Sequence, residues 1–493
     1  MKKLLLLLFI ITISSCKKDF LTIYPENTLN EGNFYNSEKE YILLANGCYV
    51  AMRDYEKQQH WVMAELPSDN ASFQYNNVTG EASKGVIDQL LFASNNVIYP
   101  QFWNFSYSGI TNCNKLLSEL DREGVSWSKA SLKDRCAGEA LFLRSLYYFN
   151  LVRQFGGVPL VLEPVTSANA VLIKRSKEDQ VYTQIVADLK QAITRFTAAK
   201  DVEENGRANL GSANALLGKV YLTMHKYAEA ETVLKTVIDS KQYNLLPDYA
   251  DVFNPAKKDY KETIFAMQYS ENNVELANTF IFWFAPWNSA GAVTKRANIS
   301  IIGTGGWNQP TDDLLNAFEA GDKRKNVSIG IYNGKDWDGV FKAIPYCAKY
   351  APPLSAPDNR CGDNLPILRY SDVLLMYAEV LNELGRTGEA LPFVQQVRNR
   401  AGLTNVLAGY SKETLSTLIA NERQVEFCFE NQRWYDLKRT GKALAVLTAH
   451  GLREKVKRAY LFPTAFQVEA YKLLAPIPQI EIEVKQLEQN PGY

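Results

Sequence analysis

The carboxylates nearest to a catalytic pattern are Glu422, Glu426 and Glu430, spaced four apart. On one continuous helix that spacing puts all three on a single face. Two facing carboxylates can break a glycosidic bond, and inward-facing glutamates can hold a pair of metal ions. The same stretch carries Arg423, Arg433, Lys438 and Arg439, so an ion-pair network inside a scaffold is the simpler use. The chain has three histidines, His60, His225 and His450, and none sits in a Glu-x-x-His pattern. GxSxG, HExxH, P-loop and GxGxxG motifs are absent, and Gly303-Thr-Gly-Gly306 reads as a glycine-rich turn. Asp358, Asn359, Asp363 and Asn364 have calcium-ligand chemistry, but their spacing is not that of an EF-hand loop, and a solvated loop is expected. The expectation is a protein that is not an enzyme, with no metal and no cofactor.

The aromatic residues suggest different chemistry. A sugar ring has an apolar C–H face and a rim of hydroxyls, so its site needs flat aromatic platforms with polar groups at the edge. Four of the eight tryptophans, Trp283, Trp287, Trp307 and Trp337, fall within residues 260–365. Trp283, Trp287 and Trp307 lie beside Asn288, Asn308 and Gln309. Far upstream, Glu65-Leu-Pro-Ser-Asp69-Asn70 precedes Phe73, Tyr75, Asn76 and Asn77. The candidate ligand-binding set is Asp69, Asn70, Tyr75, Trp283, Trp287, Trp307 and Asn308.

The N-terminus reads Met1-Lys2-Lys3, then an apolar run from Leu4 to Ile11, then Thr12-Ile-Ser-Ser-Cys16. This is a secretory signal, too short to span a bilayer, which takes about 20 residues. Small residues before Cys16 resemble the lipobox of bacterial lipoproteins. That resemblance implies cleavage before Cys16 and acylation of its thiol, a firm membrane anchor. The 493-residue chain carries 54 basic and 54 acidic residues. This balance gives no electrostatic reason to bind nucleic acid. Of the remaining cysteines, Cys48, Cys113, Cys136 and Cys428 read as buried hydrophobes. Cys347 and Cys361 flank a Pro-rich loop in a way that invites a disulfide.

These candidates must be positioned by a mainly α scaffold. Ser37-Glu-Lys-Glu opens one helix, another runs through Trp103 to Leu120, and Gly138 to Phe155 is apolar nearly all round. The last should stop at Gly156-Gly157, with Pro159 beyond. In Gly211 to Asn244, the residues Leu217, Gly218, Tyr221, Ala230, Leu234 and Val237 take the packing positions of a tetratricopeptide repeat. Tyr377, Ala378, Leu381, Ala390, Val394 and Val397 repeat the pattern in Ser371 to Thr404. A weaker third copy lies around 138–155. Between the clear copies, helical periodicity fades and Gly, Pro, Asn and aromatics rise, the mark of a functional insertion. The expected organisation is 1–15 signal, 16–30 tether, 31–259 N-terminal helical region with repeat hairpins, 260–365 variable aromatic-rich ligand region and 366–493 C-terminal region.

Several stretches resemble the SusD/RagB family. They are Arg144-Ser-Leu-Tyr-Tyr-Phe-Asn-Leu-Val-Arg153, Phe155-Gly-Gly-Val-Pro159, Arg369 to Gly385, Asn421 to Gly441, and the C-terminal Leu474-Ala-Pro-Ile-Pro with Gln489-Asn-Pro-Gly-Tyr493. The resemblance implies a surface-exposed, lipid-anchored outer-membrane protein that binds glycans, or in some members peptides or glycoproteins. It implies a partner, a SusC-like TonB-dependent transporter, over which the protein sits as a lid. The implied fold is tetratricopeptide-like hairpins against a variable region that carries the ligand. Polar residues just after a Leu-Pro-Ser-Asp-Asn type of stretch contribute to that face in the family. A lipid-anchored glycosidase and a pure protein-contact scaffold are the other classes the residues allow.

Overall fold

The computed structural model describes residues 35–75, 82–258, 261–294, 305–350 and 360–493. Cys16, Asp358 and Asn359 lie outside these residues. Helix α1 (Glu38–Lys57) opens at Ser37, whose N–H donates to Glu40 Oε2 at 2.9 Å. It packs on α2 (Ile98–Glu119), and both lean on α3 (Ala130–Phe155). From Arg135 onward α3 is buried on nearly every side, which its apolar sequence requires. It ends where Gly156 takes φ +72°. The C-terminal segment then seals that end: Ala475 N–H donates to Gln154 O at 2.7 Å, and Asn490 Nδ2 donates to Phe155 O at 3.0 Å.

Three helical hairpins form the scaffold. Helix α3 pairs with α4 (Glu178–Ala198), α5 (Leu210–Thr223) with α6 (Tyr227–Asp239), and α7 (Tyr370–Glu383) with α8 (Thr387–Arg400). The small residues at the crossings are there for space. A Cβ on Gly218 would lie 2.4 Å from Leu234 Cδ2, and one on Gly138 would lie 2.8 Å from Phe196 Cε1. Ala230 and Ala390 are fully buried. The repeat pattern read from the sequence is thus a pattern of close helix approach. Helices α9 (Lys412–Glu426), α10 (Arg433–Arg439) and α11 (Ala443–Lys457) complete the C-terminal side.

The insertion leaves and returns through one antiparallel pair, β2 (Thr263–Met267) with β6 (Leu365–Arg369), which joins Met267 to Leu365 and Thr263 to Arg369. Two further pairs are β1 (Ala71–Ser72) with β3 (Gln309–Pro310), and the hairpin β4 (Ile329–Lys335) with β5 (Phe341–Cys347). One hydrophobic core joins the hairpins, α1, α2, α9, the β2–β6 pair and the base of the β4–β5 hairpin, and a second, smaller cluster joins α10 and α11 through Trp434, Leu437, Ala443 and Leu447. The expected Cys347–Cys361 disulfide is not formed. Cys347 belongs to the main core, whereas Cys361 packs with Ile281 and Phe282 in a separate cluster, where its backbone pairs with Asn278. Among the described residues no helix is long and apolar enough to cross a membrane.

Candidate functional site

Glu422 and Glu426 do share a face of α9, but the helix ends at Glu426. Glu430 lies past a turn in which Phe429 and Asn431 take positive φ, so the three carboxylates do not form one helical row. The expected ion-pair network exists, with different partners. Arg324 bonds Glu422 at 2.5 Å and Glu426 at 3.0 Å, and Arg369 bonds Glu262, Glu426 and Glu430 at 2.8–2.9 Å. Arg400 bonds Glu426 at 2.5 Å and Lys349 bonds Glu430 at 2.7 Å. Of the neighbours in sequence, Arg423 pairs with Asp372 and Asp436, Arg433 with Asp69, and Arg439 with Glu379 and Asp436. Lys438 joins none of these carboxylates. Burial works against the Glu426 charge, but Arg400, Arg369 and Arg324 outweigh it and hold the carboxyl well below the usual range. A carboxylate so neutralised cannot act as a general acid near neutral pH.

The predicted ligand residues divide into two groups. Asp69 makes a two-toothed pair with Arg433, at 2.7 Å to Nε and 2.8 Å to Nη2. Asn70 Oδ1 accepts from Gln424 Nε2 at 2.9 Å, and its carbonyl accepts from Thr311 N–H at 3.1 Å. Both side chains are buried, and they join the loop after Leu66 to the C-terminal region. Trp307 is only 3 % exposed. Its ring lies 5.3 Å from that of Trp283, with Lys84 Nζ at 3.8 Å from its centroid. Asn308 is buried at φ +54°, with neither side-chain polar atom bonded to protein. A ligand would reach these four only if the surrounding loops opened. Trp283, Trp287 and Tyr75 are half-buried and keep accessible surface.

Tyr75 belongs to an aromatic cluster that the sequence spacing did not reveal. Its ring stacks on Tyr460 with centroids 4.1 Å apart and planes at 16°, and it meets Trp337 edge-on at 5.0 Å. Trp337 and Tyr460 are themselves 5.9 Å apart at 87°. Trp337 sits in the β4–β5 turn with 38 % of its surface exposed, and Val340 and Phe341 beside it are exposed as well. The cluster is held by Gln74. Its Nε2 donates to Asp336 Oδ1 at 2.7 Å, and its Oε1 accepts from Trp287 N–H at 3.1 Å. The β1–β3 pair, and Gln309 Nε2 donating to Pro345 O at 3.1 Å, join the same segments from the other side.

Behind Tyr460, Arg458 pairs with Glu454 at 2.6 Å and approaches Asp88 at 3.7 Å. Burial pushes the Asp88 carboxyl up to about 7, against the pull of Arg458. Ser72 Oγ donates to Asp88 Oδ2 at 3.2 Å. The arrangement offers exposed aromatic rings with Asp336, Lys342 and Asp338 at the edge, where Lys342 bonds Asp336 at 2.8 Å and Asp338 at 3.2 Å. Its chemistry is stacking plus hydrogen bonding at a surface.

Comparison with known proteins agrees with this architecture. A profile described as the SusD family matches residues 344–493, and one described as starch-binding associating with outer membrane matches residues 19–222. A SusD-like protein P2 of Formosa agariphila is 24 % identical over 100 % of this chain and 99 % of its own length. Among solved structures, a laminarin-binding SusD-like protein is similar with a TM-score of 0.76 and 27 % identity, covering 93 % of this chain and 100 % of that one. Surface glycan-binding protein A from Bacteroides thetaiotaomicron, in complex with laminarihexaose, has a TM-score of 0.73 at 22 % identity and covers 92 % of this chain and 99 % of its own.

Proposed function

The chain belongs to the SusD/RagB family, and from that premise we propose that it is a glycan-binding protein of the outer membrane, not an enzyme, with Tyr75, Trp337 and Tyr460 as its ligand platform. The observation that carries this reading is the exposed Trp337 ring, set edge-on to a stacked tyrosine pair at the tip of a hairpin. Exposed aromatic surface held by a hydrogen-bonded frame suits an oligosaccharide, which brings flat C–H faces and needs little rearrangement of the protein. Trp287 is tied to the frame through its backbone N–H on Gln74, and Trp283 packs on Trp307. The similarity to a laminarin-binding SusD-like protein supports laminarin as the first ligand to try.

In the same reading, Cys16 carries the lipid anchor, and a SusC-like TonB-dependent transporter receives the glycan. The matched family description, associating with outer membrane, supports the location. Calorimetry of the protein against a polysaccharide panel that includes laminarin tests the binding. Binding of at least one glycan, weakened in Trp337→Ala, is expected. Failure of every glycan, with binding of peptides instead, replaces this reading by peptide capture on the same architecture. Co-purification with a transporter encoded beside the gene tests the partner.

A further inference from the structure

A half-open cavity of about 500 Å³ lies between the C-terminal turn of α3, the first turns of α4, the end of α5 and α10. Its wall carries Arg153 from α3 and Lys438 from α10. Lys438 Nζ donates to the Arg153 carbonyl. The Arg153 guanidinium lies 3.7 Å from the Tyr435 ring centroid and 3.9 Å from that of Phe149. Its N–H groups reach the Phe149 carbonyl at 3.2 Å and the Asn150 side chain.

Among the described residues neither cation forms an ion pair, although every other inward-facing charge does. Lys219 of α5 is taken by Asp372 at 2.8 Å. Arg439 is taken by Glu379 and by Asp436 at 2.9 Å, and Asp436 also by Arg423 at 2.9 Å. From α4, Glu178 and Asp179 stand exposed at the mouth. Arg153 and Lys438 both line this cavity and are half-buried, so an anion bound there would meet two like charges and relieve their repulsion. A planar guanidinium beside an ammonium matches a carboxylate head, and Val152, Met224 and Leu474 give the cavity an apolar side.

We propose that this cavity binds a small organic carboxylate, its head between Arg153 and Lys438 and its body against Val152, Met224 and Leu474. The site is independent of the glycan platform. Burial, and then the neighbouring Arg153, hold the Lys438 ammonium down at about 7, with Glu178 pulling the other way. Lys438 is therefore charged below that pH and neutral above it. Anion binding favours the charged form, so affinity falls as pH rises through about 7.

The test is calorimetry of the full chain with D-glucuronate, with D-glucose as its neutral match and inorganic phosphate as a bare anion. Glucuronate is expected to bind, with affinity about tenfold or more weaker near pH 8.5 than near pH 6 because the Lys438 charge is lost. Lys438→Gln should weaken binding at the lower pH and flatten the pH dependence, and Arg153→Lys should weaken it at both. Trp337→Ala should leave it unchanged, which separates this site from the glycan platform. Absence of glucuronate binding, equal binding of D-glucose, or a Lys438→Gln variant that binds like the wild type overturns the proposal. Binding of phosphate without glucuronate overturns the organic ligand class. If Arg153→Lys fails to fold, Lys438→Gln decides alone.

Discussion

Trp337 and Trp307 make opposite predictions for the same substitution, and the pair tests the proposed platform. Trp337 keeps 38 % of its surface exposed. A tryptophan side chain offers about 250 Å², so about 95 Å² remains for a ligand to cover. At about 25 cal/mol per Å², covering it contributes about 2.4 kcal/mol, or roughly fiftyfold in affinity. Trp337→Ala should therefore weaken glycan binding by up to that factor. Its cost to the fold is the loss of edge contacts to Tyr75 and Tyr460, about 1 kcal/mol. Trp307 is 3 % exposed and packed against Trp283 and Trp61. Trp307→Ala should cost about 3–5 kcal/mol of stability through the cavity it leaves. Paired calorimetry and denaturant unfolding separate the two. If Trp337→Ala binds as the wild type does, while Trp307→Ala folds normally and loses the ligand, the platform has been placed on the wrong ring.

The remaining predictions concern the scaffold. Gly218→Ala gains up to about 1 kcal/mol in helix propensity but forces a Cβ to 2.4 Å from Leu234, so chemical denaturation should show a net loss of about 1–2 kcal/mol rather than a gain. Arg369→Met removes the cation shared by Glu262, Glu426 and Glu430 and leaves Arg400, Arg324 and Lys349 to balance all three, so it should cost about 3–5 kcal/mol or abolish soluble expression; a variant as stable as the wild type would show the network to be dispensable. Asp88 has a folded-state pKa raised to about 7, so its stabilising contribution is complete below the unfolded carboxylate range and is lost as pH rises through about 7. Asp88→Asn should consequently gain stability relative to the wild type between about pH 4 and about pH 8, as read from urea midpoints across pH; an unchanged difference would mean that Asp88 stays ionised throughout.

The hairpins were legible because close helix crossings demand small residues at fixed offsets. Gly218 and Ala230 report that geometry directly, as do Ala378 and Ala390. The ion-pair partners were not legible. Glu426 lies near Arg423 and Arg433 in sequence but bonds Arg324, Arg369 and Arg400, which come from the insertion, β6 and α8. The same limit applied to the proposed platform. Tyr75 was identified from its place after the Leu-Pro-Ser-Asp-Asn stretch, whereas its ring partners lie hundreds of positions away, at Trp337 and Tyr460. The burial of Trp307 was not legible for a related reason. An irregular segment has no period of 2 or 3.6 residues, so nothing in its sequence tells an inward ring from an outward one.

Asp69 and Asn70 show how the scaffold and the platform depend on one another. Their side chains face the C-terminal region, through Arg433 and Gln424. Their carbonyls face the insertion, through the hydroxyl and N–H of Thr311. The next residues enter β1, and Gln74 then fixes both Trp287 and Asp336. The chain from Asp69 to Tyr75 therefore ties a buried ion pair to the half-buried Tyr75 ring. A ligand surface made from long loops would otherwise lose affinity to the entropy of ordering them. On the proposed platform, polar residues in this stretch would serve recognition by positioning the aromatic rings, while their own side chains point into the protein.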